Sequence, residues 1–151
     1  MTNLAQAIDD DIKSAMRAKE ADKLSTLRLL KAAVKNAAIE KGGADYVLED
    51  TAVISVIRKL IKQREDSIEA FTKGNRPEQA AKEQAEIEFL NAYLPQALSD
   101  GELDALIEAA KSELGATDKK MMGAVIKHVN EAAAGRAEGK RISQRVQQQL
   151  S

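Results

Sequence analysis

The sequence predicts an all-α protein, and three observations carry that prediction. Alanine, leucine, lysine, glutamate and glutamine, the strong helix formers, dominate, while only 3% of the 151 residues are aromatic. Apolar residues recur three and four positions apart, the period of a helix with one buried face. No convincing run of five or more residues alternates with the period of two that marks a half-buried strand. At 44% hydrophobic and 31% charged, the composition is that of a globular chain and excludes a disordered one.

Seven helices follow in order. Leu4, Ile8, Ile12 and Met16 recur every fourth residue and predict a first helix from about Asn3 to Lys19. Asp9, Asp10 and Asp11 inside it do not form a metal site, because consecutive helical side chains point about 100° apart. Asp22 is a suitable N-cap for a second helix running to Glu40, with Leu24, Leu27, Leu30, Val34 and Ala38 on one face. Gly42 and Gly43 end it. Asp50 caps a long third helix carrying Val53, Ile57, Leu60, Ile61, Ile68 and Phe71, closed by Gly74. Pro77 opens the fourth at its first-turn position, with Ile87, Leu90, Tyr93 and Leu94 as its buried stripe before Pro95.

Ser99 with Glu102 three residues on is a capping box, and it starts a fifth helix with Leu103, Leu106, Ile107, Ala110 and Leu114 buried before Gly115. Met121, Met122, Val125, Ile126 and Val129 belong to a sixth helix, and Ile142, Val146 and Leu150 to a seventh that reaches the C-terminus. The boundary falls at Tyr93-Leu94-Pro95, giving a four-helix subdomain of residues 1–95 and a three-helix subdomain of residues 96–151.

Charge is balanced overall, at a formal −1, but segregated locally. Lys23 to Lys41 holds five basic residues against Glu40 alone. Residues 117–151 hold seven against three acids, while residues 96–116 hold five acids against Lys111. The last subdomain therefore reads as one acidic helix followed by two basic ones.

Several chemistries are excluded. With no cysteine there is no thiolate nucleophile, disulfide or zinc thiolate site, which fits a reducing cytoplasm. The longest stretch without Asp, Glu, Lys or Arg, Phe89 to Ser99, is too short to span a bilayer, which takes about 20 residues. The acidic N-terminal helix is no secretory signal. A serine triad would need His128, the lone histidine, which lies beside Lys127 on an amphipathic helix as a boundary residue does. The eight serines are isolated from one another, so a serine–serine–lysine amidase core is absent. One histidine cannot make a first-row metal site, and no catalytic residue, metal or cofactor is expected.

The segment Gly135–Arg141 resembles a phosphate loop only superficially. Three residues instead of four separate Gly135 from Gly139, Arg141 follows Lys140 where Ser or Thr belongs, and no strand precedes. Two readings stay open. Gly135 and Gly139 simply end one helix and open the next, or the amides there, with Arg136, Lys140 and Arg141, form an anion site for a nucleic-acid phosphate. Arg28, Lys31 and Lys35 share one helix face and read either as a solvated face or as further phosphate contacts. Four aromatic residues are too few for a base-stacking platform.

The blocks Leu27–Glu40 (LRLLKAAVKNAAIE), Tyr93–Ser99 (YLPQALS), Met122-Gly123 and Gly135–Ser143 (GRAEGKRIS) resemble the GatB/YqeY family, over nearly the whole chain and in the family's order. Glu138 stands where the family often has aspartate, which weakens the helix cap expected there. The resemblance implies an all-helical protein with a larger N-terminal and a small C-terminal part. It also implies kinship with the tail domain of the GatB component of the glutamine-dependent aspartyl/glutamyl-tRNA amidotransferase. An association with carbon–nitrogen ligases using glutamine as amido donor follows from that kinship. Since no glutaminase nucleophile or ATP site is visible, the expected role is a non-catalytic, tRNA-binding accessory module in the cytoplasm. The alternative is an adaptor docked on amidotransferase subunits or another tRNA enzyme.

Overall fold

The computed structural model describes residues 3–116 and 118–150, so the ends of the two predicted subdomain spans, residues 1–2 and 151, lie outside the described residues. Among the described residues the regular structure is helical and there is no strand. The seven helices are α1 Leu4–Ala18, α2 Ala21–Gly42, α3 Asp50–Lys73, α4 Pro77–Asn91, α5 Asp100–Leu114, α6 Met122–Ala133 and α7 Gly139–Gln149. They fall into two compact units, one ending at Leu94 and one beginning at Pro95.

In the first unit α2 packs against α1, α3 and α4, and α3 lies along α4. Its core gathers Ile8, Leu27, Leu30, Val34, Leu48, Val53, Ile57 and Leu90. Each such side chain, fully buried, contributes about 1.5–3 kcal/mol relative to exposure. The Asn3 carboxamide oxygen accepts the Gln6 N–H at 2.7 Å and caps α1. Lys19, left-handed at φ 59°, turns the chain so sharply that α2 begins at Ala21 and leaves the predicted cap Asp22 inside its first turn. There the Asp22 carbonyl accepts the hydroxyl of buried Thr26 at 3.0 Å.

Asp50 also departs from expectation. It is the first residue of α3, after an N-cap position held by Glu49, and its carboxylate accepts the Leu4 N–H at 2.9 Å. A residue predicted to cap its own helix thus caps the start of α1, because the fold brings the two helix N-termini together. Near the end of the unit, the Tyr93 hydroxyl donates to Asp11 at 2.6 Å. Burial first, and then that carboxylate, raise the Tyr93 pKa well above the ordinary phenol value.

In the second unit both halves of the predicted capping box are present. The Ser99 hydroxyl accepts the Glu102 N–H and the Glu102 carboxylate accepts the Ser99 N–H, each at 3.1 Å. A 3-10 turn at Lys119–Met121, capped by the Asp118 carboxylate, removes Met121 from the predicted sixth helix. The core is made by Leu103, Ile107, Val125, Val129, Ile142 and Val146, all at 0% exposure. The acidic helix and the last basic helix, α5 and α7, are in contact.

Candidate functional site

The glycine-rich loop is built by a left-handed pair, Ala134 at φ 49° and Gly135 at φ 83°, which ends α6 and turns the chain toward α7. Arg136 reaches back to the chain ahead of α5. Its Nε donates to the Gln96 carbonyl at 2.9 Å, one Nη lies 3.6 Å from Glu102, and its carbonyl accepts the Leu98 N–H at 2.9 Å. Arg141 does the same from α7, donating to the Leu98 carbonyl and to the Asp100 carboxylate, both at 2.7 Å. The Arg141 hydrogen bond, then the charges of Arg145 and Arg141, hold Asp100 below the ordinary carboxylate range. One turn further on, Arg145 makes a two-point contact with Asp104, which also accepts the Gln149 amide at 2.8 Å.

These bonds give the basic segment a structural role. Arg136 and Arg141 fasten the loop and α7 to the chain entering α5. Lys140 is exposed and has no ion pair among the described residues. Gly139 opens α7, where a Cβ would meet nothing within 4 Å, and Glu138 gives that helix no side-chain cap. His128 also faces an acid, its Nε2 lying 2.9 Å from Glu113. No group of three His, Asp or Glu residues that could hold a metal occurs among the described residues.

The three α2 cations separate. Lys31 is held by Asp9 of α1 at 2.9 Å. Arg28 and Lys35 are exposed and have no ion pair among the described residues. Lys35 borders a cavity of about 290 Å3 between α1, α2 and the connector before α3, whose walls include Ile8, Val34, Ala38 and Leu48. Arg28 borders a shallow hollow with Leu24 and Leu29 at the other end of the helix.

A feature the core-facing spacing does not anticipate lies between these two depressions. Leu29 and Ile39 are 53% and 45% exposed, and Ala32 and Asn36 between them are exposed as well. The steps 29, 32, 36 and 39 are helical spacing, so the four residues form one stripe. It lies opposite buried Leu27, Leu30, Val34 and Ala38. The signal was present in the sequence as a second set of apolar residues, hidden because α2 carries apolar residues on both faces.

A family model described as "Yqey-like protein" matches residues 5–150. The chain belongs to the YqeY-like family. Relatives of this YqeY-like chain share one description, "Altered inheritance of mitochondria protein 41, mitochondrial". The Lachancea thermotolerans protein is 40% identical over 106 residues, covering 69% of this chain and 56% of the relative. The Pyrenophora tritici-repentis protein is 32% identical over 141 residues, covering 91% and 76%. The Saccharomyces cerevisiae protein (strain YJM789) is 31% identical over 133 residues, covering 82% and 71%. The chain therefore spans little more than half the length of the first of these.

Those descriptions correct the expected role. The relatives are named for mitochondrial inheritance, and neither tRNA nor an amidotransferase enters their description, so the role of tRNA-binding accessory module is withdrawn. The alternative, an adaptor on that enzyme, rests on the same kinship and goes with it. The cytoplasmic assignment is likewise replaced by a coarser statement. The relatives are described as mitochondrial, and among the described residues no helix is long and apolar enough to cross a membrane.

Proposed function

We propose that the chain acts as a protein-binding module and that α2 of its first unit carries the docking face. The observation that supports this best is the second apolar stripe of α2, with Leu29 and Ile39 about half exposed on the side away from the core. Folding gains little from these two large aliphatic side chains where they stand, and an apolar stripe rimmed by polar residues is the kind of surface that serves contact. The relatives' names make mitochondrial inheritance the process in which this binding is to be tested, and the mitochondrion, in place of the cytoplasm, the compartment to examine first.

The test is complementation. In Saccharomyces cerevisiae cells lacking the relative, this chain directed to mitochondria is expected to restore normal mitochondrial inheritance. A Leu29→Glu/Ile39→Glu double variant, shown by circular dichroism to keep its helix content, is expected to lose that ability. Lys140→Glu, an exposed change in the other unit, is expected to keep it. Restoration by the double variant overturns the docking face on α2.

A further inference from the structure

We propose that the exposed face of α2 and the cavity beside it receive an amphipathic helix of a partner protein, one whose apolar stripe is bordered by acidic residues. This rests on the reading of α2 as a docking face and adds the chemistry of what docks there. Three features of the face select that occupant.

The first is shape. Ala32 and Asn36 are short side chains set between the longer Leu29 and Ile39. They leave a saddle on the surface of α2, and small residues at the centre of a face let a second helix approach to the usual 8–10 Å between axes. The second is charge. Arg28 and Lys35 lie seven residues apart on the same flank of the stripe, which is two turns and about 10 Å along the helix. Lys31 between them is already bound to Asp9. A partner helix lying along α2 meets two uncommitted cations at a spacing that its own carboxylates match when they too are two turns apart. The third is the cavity. Lys35 stands between the stripe and this space of about 290 Å3, and Val47, 64% exposed, forms its outer edge. The cavity lining joins apolar Val34, Ala38 and Leu48 to the Asp9–Lys31 ion pair, so the unpaired Lys35 ammonium is its uncompensated charge and suits one large aliphatic or aromatic side chain with a carboxylate one turn away.

A flat anionic membrane satisfies the charge but not the recess, since a bilayer engages protruding apolar side chains and leaves a cavity behind them unfilled.

Synthetic helical peptides with a common leucine stripe, flanked by glutamate, glutamine or lysine, separate these cases when titrated into the full chain. The glutamate peptide is expected to bind about tenfold or more tighter than the lysine peptide, a difference of about 1.4 kcal/mol or more. Amide shifts should concentrate on Leu29 to Ile39 and on Val47, and the preference should reverse in the Arg28→Glu/Lys35→Glu variant. Equal binding of all three peptides at α2 overturns the acidic partner while leaving the docking face intact. Binding of none, or shifts confined to other helices, also overturns the inference. So does binding to phosphatidylserine-containing vesicles in place of the peptides, or a dimer that dissociates in Leu29→Glu/Ile39→Glu. The docking face itself falls by the complementation result, which does not depend on any peptide.

Discussion

The arginines around α7 and the cations of α2 are treated in opposite ways. In the second unit, Arg136, Arg141 and Arg145 each reach a carbonyl or carboxylate of the segment leading into α5 or of α5 itself. In the first unit, Arg28 and Lys35 stand on an exposed face beside Leu29 and Ile39, with Lys31 alone tied to Asp9. A local surplus of positive charge in a sequence therefore has two meanings. Where a carboxylate or carbonyl lies within reach, a cation is a fastening. Where none does, it stays at the surface. Both segments carry cations that read as phosphate contacts or as bland structure, and the structure engages the arginines of Gly135–Arg141 internally.

Four measurements break or sharpen that contrast. The largest effect is expected in the core of the second unit. Ile142→Ala removes a side chain at 0% exposure and should cost about 2–5 kcal/mol in denaturant unfolding. Leu29→Ala, by contrast, should change stability by no more than ~0.5 kcal/mol. A loss at Leu29 as large as that at Ile142 would make the α2 stripe part of a core and end its candidacy as a docking face.

The fastening itself is tested by acid. Arg141 holds Asp100 below its ordinary 3.8, and the Ser99 backbone and side chain, ahead of Arg136, hold Glu102 below 4.5. A depressed carboxylate pKa stabilises the fold fully above the unfolded value and loses that contribution as pH falls through the folded one. The second unit should therefore weaken from about pH 4 downward, and Asp100→Asn should flatten that part of the acid transition with only a small drop in the neutral-pH midpoint. An unchanged acid profile in Asp100→Asn would make the Arg141 contact incidental.

Tyr93 gives a smaller effect of opposite sign. Its raised pKa keeps the phenol protonated beside Asp11 as the pH rises past 10, and the stability it confers is lost only above that. Tyr93→Phe removes the donor and should cost ~1 kcal/mol at neutral pH, read by thermal unfolding. The smallest effect separates the two loop glycines. Gly139→Ala adds a methyl into open space at the first position of a helix and should stabilise by ~0.4–1 kcal/mol. Gly135→Ala places a side chain at φ 83° and should destabilise.

Much of the fold was legible because it is written in local, periodic signals. The Ser99–Glu102 box, the Pro77 start and the apolar stripes of α1, α5 and α7 act within one or two helical turns, where sequence separation and spatial separation coincide. Asp50 and Asp22 show where that stops. Both are good caps by composition, but the caps they make depend on which chain end is brought near, and Asp50 serves a helix 46 residues away. The same limit applied to the site. Arg136, Lys140, Arg141, Arg28, Lys31 and Lys35 were all visible as cations, and nothing local distinguishes a cation with a partner 40 residues distant from one with none.

The sequence by itself determined the all-helical class, the four-plus-three layout and the absence of a thiol, because composition and periodicity are properties of the chain. Tertiary structure alone decided which charges are paired and which apolar face of α2 is buried. Those outcomes depend on the field and the contacts supplied by neighbouring helices. A helix with apolar residues on two sides can bury either one, and only packing against α1, α3 and α4 leaves Leu29 and Ile39 outside.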